Sequence, residues 1–190
     1  MRVNATDLLL DSLQVEAPVR QLVVGAFWTA VVLDAGPLRC GLASTLRPAT
    51  HPDGSPASRA GQLLEYSGRE LAKLLRSHST LEASIGMAAI NALLDIDEKK
   101  CTKVNARELI LERGAGKRVA IVGHFPFVDR VRQASATCWV LELHPRPGDL
   151  HASRAGEVLP QADVVALTGT SLINHTFDDL VALCRPDAYV

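Results

Sequence analysis

Three short polar clusters hold the residue types that could do chemistry in this sequence. Gly123-His124-Phe125-Pro126 offers an imidazole that can ligate a metal as the neutral ring or move a proton near pH 7. The glycine before it lets the backbone turn sharply and lets a ligand approach its amides. Glu142-Leu143-His144 runs into Pro145-Arg146-Pro147-Gly148-Asp149 and supplies two carboxylates. Thr168-Gly169-Thr170-Ser171, with Asn174 a turn later, supplies hydroxyls and backbone amides of the kind that hold phosphate or carboxylate at a helix start. His124, Glu142 and Asp149 together would make a mixed nitrogen and oxygen set suited to a divalent transition metal. Their spacing matches neither a zinc finger nor His-Glu-x-x-His. Each cluster also has a plainer reading: His124 capping a turn, Gly148-Asp149 as an ordinary turn, Thr170 or Ser171 as a simple helix cap.

Other chemistries find less support. Glu142 follows Gly123 by roughly 20 residues, the place where dinucleotide-binding folds put an acid on a ribose hydroxyl. The Gly-x-Gly-x-x-Gly loop is missing, and Phe125-Pro126-Phe127 stands where a pyrophosphate needs bare backbone. Nicotinamide binding is therefore disfavoured, while an adenosyl-cofactor-dependent transferase with Glu142 on the ribose stays open. No Gly-x-Ser-x-Gly elbow or Walker loop is present, which argues against those hydrolases and NTPases. His51, His78, His151 and His175 read as exposed or locally bonded.

The clusters share one position in a repeating pattern. Val119 to Val122, Cys138 to Leu143 and Val164 to Thr168 are nearly continuous apolar runs, as expected of parallel strands covered on both faces. Each cluster begins where a run ends, and ligands of open α/β sheets bind outside the carboxyl ends of the strands. The last helix is predicted from about Ser171, with Ile173, Phe177, Leu180, Val181 and Cys184 on one face, stopping at Arg185-Pro186. Ala188-Tyr189-Val190 then reads as the opening of a further strand, which predicts a chain shortened at its C-terminal end.

The first half reads differently. A helix is predicted over Asn4 to Leu13 with a stripe of Leu8, Leu9 and Leu13. Gln21–Val24, Trp28–Leu33 and Leu38–Leu42 read as an antiparallel meander turned at Asp34-Ala35-Gly36-Pro37. Arg47 to Arg59 is an expected exposed loop. Capping boxes at Ser67 with Glu70 and Ser79 with Glu82 announce two helices, and a third signal stands at Asn105 with Glu108. The second of these helices is apolar nearly all round, so Asn91 within it is expected to be buried, bonding a neighbouring strand or lining a cleft. Asp95 to Lys103 reads as a linker. The architecture expected is α/β: an α+β domain over residues 1–95, then a Rossmann-like parallel sheet domain over residues 96–190.

At 190 residues and 47% hydrophobic content the chain can bury an adequate core. A formal charge of −1 without a basic stripe argues against nucleic acid as a partner. The three-leucine run near the N-terminus is too short for a signal core or a membrane span, so the chain reads as cytoplasmic. Cys40, Cys101, Cys138 and Cys184 lack any Cys-x-x-Cys pair and read as reduced core residues.

The ordered motifs Gly-His-Phe-Pro, Glu with Pro-x-x-Gly-Asp, and Thr-Gly-Thr-x-x-x-Asn-x-Thr resemble a family described as putative heavy-metal chelation proteins. Gly25-Ala26-Phe27-Trp28-Thr29-Ala30-Val31 and Gly86-Met87-Ala88-Ala89-Ile90-Asn91-Ala92 extend the resemblance over most of the chain. It implies an enolase N-terminal-like domain joined to a Rossmann-like domain, with a site between them. It further implies binding or handling of a heavy metal or an anionic metal chelate, with a link to anaerobic corrinoid biosynthesis. The site residues would be Asn91, Gly123, His124, Phe125, Glu142, Asp149, Thr168, Gly169, Thr170 and Asn174, with His124, Glu142 and Asp149 on the metal. Whether a reaction is catalysed stays open, as do a non-catalytic binding module and a homo-oligomer.

Overall fold

The computed structural model describes residues 4–46 and 57–190. The chain forms two compact units, Met1–Glu98 with Thr170–Thr176, and Lys99–Gly169 with Phe177–Val190. The α/β class expected from the sequence holds: the first unit carries a three-stranded antiparallel sheet and the second a four-stranded parallel one.

In the first unit, helix α1 (Ala5–Asp11) starts where the Asn4 side chain accepts the Asp7 N–H at 2.7 Å. Of the expected stripe, Leu13 is buried and Leu9 packs half-buried against the core, but Leu8 is exposed and Leu10 is buried instead. Helix periodicity sets the phase but not which face meets the core. Strands β1 (Val19–Val24), β2 (Trp28–Asp34) and β3 (Leu38–Ser44) make the expected meander. Helices α2 (Gly68–Ala72) and α3 (Thr80–Leu93) follow. The Ser67–Glu70 capping box is complete. At the start of α3 only half a box forms, because the Glu82 carboxylate accepts from Ser58 N–H, Ser58 Oγ and Ser77 Oγ instead of reaching back. Residues 47–56 of the expected loop lie outside the described residues.

Helix α3 lies directly on the backbone of β3, since a Cβ at Gly41 would stand 2.0 Å from the Ala88 carbonyl oxygen. Asn91 corrects its expected burial: it is exposed, and its Nδ2 donates to the Leu42 carbonyl at 2.8 Å. Cys40 and Cys101 are likewise exposed, so only Cys138 and Cys184 approach the expected core placement.

The second unit begins with α4 (Ala106–Gly114), capped by Asn105. Its elements are then β4 (Arg118–Val122), α5 (Val128–Ala134), β5 (Thr137–Glu142), the two-residue β6 (Leu150–His151), α6 (Ala155–Val158) and β7 (Val164–Leu167). All pairings are parallel, in the order β6-β5-β4-β7. Both faces of this sheet are buried. Ala120, Leu141 and Val165 pack with Val158 and Leu159 on one, and Val119, Ile121 and Val140 pack with Val128 and Val131 on the other.

The single helix expected after Thr168 is two. Helix α7 (Thr170–Ile173) counts with the first unit and α8 (Phe177–Leu183) with the second. Between them His175 has φ +61°, and Asn174 Oδ1 accepts from Thr176 N–H and Oγ1 at 3.3 and 2.7 Å. That local turn competes with continued helix. At the end of the chain, Tyr189 bridges Val164 in parallel, with its carbonyl accepting the Val165 N–H at 2.8 Å. Among the described residues no helix is long and apolar enough to cross a membrane.

Candidate functional site

At the end of β4, Gly123 takes φ +102°, and a side chain there would press within 3.1 Å of Thr168 Cβ. Only glycine accepts both constraints without strain. Its N–H donates to the Leu141 carbonyl at 2.9 Å, which ties the loop to the end of β5. The next residue continues the tie: the His124 N–H donates to Glu142 Oε1 at 2.8 Å, while Glu142 Oε2 accepts the Leu143 N–H at 2.9 Å. Glu142 thus closes two loops with one carboxylate.

The His124 ring meets Asp149, with Nδ1 2.8 Å from Oδ2. The Asp149 side chain is 0% exposed, and its other oxygen accepts from Arg132 Nη2 at 2.7 Å. Arg132 also donates to the Gly148 carbonyl at 3.1 Å, and the Arg146 N–H reaches Asp149 Oδ2 at 3.3 Å. Burial alone would push the Asp149 carboxyl up, but the hydrogen bonds from His124 and Arg132 outweigh it and hold the group below its usual range. An ionised carboxylate can only accept, so His124 Nδ1 carries a proton, and in the neutral ring the lone pair then lies on Nε2. The ring is 19% exposed and Nε2 has no protein partner among the described residues. Phe125 continues the loop and stacks on Phe127, centroids 5.2 Å apart.

The structure therefore joins Gly123, His124, Glu142 and Asp149 in one bonded cluster, with Thr168 against Gly123. Thr168 also donates its N–H to the Val122 carbonyl at 3.1 Å. A Cβ on Gly169 would meet open space. Asn91, Thr170 and Asn174 belong to the first unit, where Asn91 and Asn174 make the local bonds described above. The anion cradle expected over Thr168 to Ser171 lacks its physical basis. Helix α7 has four residues, too few peptide dipoles to sum to a useful field, and Ser171 is 1% exposed.

A free metal ion does not fit the three expected ligands. Asp149 is bonded to Arg132, His124 and Arg146, and Glu142 holds two backbone amides, so both carboxylates face protein donors. Among the described residues no group of three or more His, Cys, Asp or Glu is placed to hold a metal ion. What remains is one oriented imidazole nitrogen. The same bonds bear on the ribose reading, since both Glu142 oxygens already accept.

Arg132 is the residue that sequence reasoning missed. Its signal was indirect: a buried aspartate beside the sheet needs a cation, and Arg132 lies on the inward-turning side of the helix that follows His124.

The fold and this loop cluster define a two-domain α/β protein with its polar residues at the carboxyl ends of parallel strands. The chain belongs to the family described as putative heavy-metal chelation: one model so described, DUF364, matches residues 105–190, and a second, DUF4213, matches residues 6–94. It is similar to a crystal structure of a DUF364 family protein with unknown function from Desulfitobacterium hafniense, at 26% identity and a TM-score of 0.81, covering 95% of this chain and 73% of that one. A second such protein, from Pyrococcus horikoshii, shares the fold at 20% identity and a TM-score of 0.75, covering 96% of this chain and 74% of that one. An uncharacterized protein of Methanocaldococcus jannaschii is 30% identical over 115 residues, 57% of this chain and 44% of that one. The chain thus spans less than half the length of that curated relative.

Proposed function

We propose that this chain binds a transition metal delivered as the complex of a small anionic chelator, with His124 Nε2 as the one protein donor. The metal is cargo in this reading. The observation that carries it is the Asp149–His124 pair, in which a buried carboxylate holds one ring nitrogen and leaves the other open. Metal-bound histidines are oriented by such carboxylates, which fix the tautomer and raise the basicity of the ligating nitrogen. A single nitrogen holds a bare ion weakly. It suffices for a metal whose other positions are filled and whose one remaining position is open. Chelators that hold divalent ions through carboxylates make the complex an anion, as the family description of heavy-metal chelation allows.

The experiment compares Co, Ni, Fe and Zn as free ions with a cobalt complex of a carboxylate chelator that leaves one position open, followed by cobalt absorbance. The complex should bind saturably with a spectral shift toward nitrogen ligation, and free ions should bind weakly. Asp149→Asn should cut affinity about 10- to 100-fold. Unchanged affinity in the His124→Ala, Glu142→Ala double variant rejects the reading.

A further inference from the structure

A cavity in the second unit has a different chemistry from the His124 cluster. Asn105, Arg107, Pro126, Phe127 and Arg130 line a hollow of about 280 Å³ beside the packed pair α4 and α5. Two arginines therefore line one small space. The Arg130 side chain makes no hydrogen bond or ion pair among the described residues, its backbone N–H alone donating to the Phe127 carbonyl at 3.1 Å. Arg107 reaches only its neighbour Glu108, through Nη2 at a long 3.4 Å. Its Nε is the one buried side-chain nitrogen or oxygen among the described residues left without a hydrogen-bond partner. A buried, charged donor in that condition is costly unless an acceptor meets it.

Asn105 adds to the same sign of field. It caps α4, a nine-residue helix whose amino end carries partial positive charge, and its own Oδ1 is committed to the Arg107 N–H at 3.0 Å. Pro126 brings no N–H, and the Phe127 ring gives a flat apolar wall. Nothing in this hollow resembles a cation site, because its charged groups are both arginines.

We propose that the Arg107–Arg130 hollow is a binding site for a small oxyanion, a phosphate or carboxylate group, held by the two guanidinium forks. Such groups match carboxylate and phosphate oxygens two at a time, which makes the site demanding in geometry as well as charge. The hollow fits a single anionic group with a few attached atoms. The assignment stands independently of the His124 reading, since none of its lining residues belongs to that bonded cluster.

Calorimetric titration of the full chain with inorganic phosphate and, separately, with citrate in low-salt buffer tests it. Saturable one-site binding is expected, and the tighter of the two names the source. Arg107→Gln and Arg130→Gln should each raise Kd at least tenfold, and Arg130→Lys should recover only part of the loss because it keeps charge without the fork. Circular dichroism of each variant separates lost binding from lost fold. Arg154→Gln, an arginine paired with Glu157 elsewhere in this unit, should leave Kd unchanged. Failure of both anions to saturate, binding that survives the Arg107→Gln, Arg130→Gln double variant, or equal weakening by Arg154→Gln would each overturn the proposal.

Discussion

Asp149 is the residue on which the candidate site depends, because it is buried and accepts from His124, Arg132 and the Arg146 amide together. Removing its charge leaves a partly solvated arginine and a histidine facing a neutral amide. Asp149→Asn should cost about 2–4 kcal/mol in urea denaturation at pH 7, at the lower part of the range for a broken buried pair because Arg132 keeps some water. Of this cluster, the positions of His124, Glu142 and Asp149 could be read from the sequence because each lies at or beyond the end of an apolar run, where a sheet must put its loops. Their roles could not. Glu142 looks like a ligand until its oxygens are seen holding two amides, and Arg132 looks like any charge on a helix surface.

Elements meet in this protein through glycines whose missing side chains are required for contact. At Gly41 a methyl group would enter the α3 backbone, 2.0 Å from Ala88 O and 2.3 Å from Ala92 N, with no flexible atom able to yield. Gly41→Ala should therefore destabilise by about 3 kcal/mol, the upper end for overpacking. Gly156 in α6 is the contrast: nothing lies within 4 Å of its added Cβ, and its φ is not left-handed. Gly156→Ala should stabilise by about 0.5 kcal/mol through the unfolded chain and helix propensity. Denaturation midpoints of the two variants check both signs. The three long parallel strands were readable because burial on two faces demands unbroken apolar runs, whereas β6, with two residues, leaves no periodic trace. The break at Asn174 was hidden for a related reason. Ile173, Phe177 and Leu180 keep helical spacing across it, so the pattern continues where the backbone does not.

At the scale of the whole chain, the two units share a dependence on ionised carboxylates that the near-neutral net charge conceals. In the first unit, burial opposes ionisation of Glu82, but the hydroxyls of Ser58 and Ser77 and the Ser58 amide hold its pKa below the usual value. In the second, Asp163 is held far lower by the Arg118 side chain, which donates from Nε at 3.0 Å and Nη2 at 2.8 Å, with the Arg118 backbone amide and Arg185 beside it. A carboxyl whose folded pKa is depressed binds a proton more readily when unfolded. Its contribution is complete above the unfolded value of about 4 and drains away as pH falls through the lower folded value. Stability should accordingly stay level from about pH 8 down to 5 and decline in acid below about 4. Each unit holds one tryptophan, Trp28 in the first and Trp139 in the second, so Trp28→Phe and Trp139→Phe backgrounds report the units separately. Asp163→Asn should flatten the acid slope followed by Trp139 and Glu82→Gln the slope followed by Trp28. Acid slopes that keep their steepness in both variants would mean that other groups carry the proton linkage.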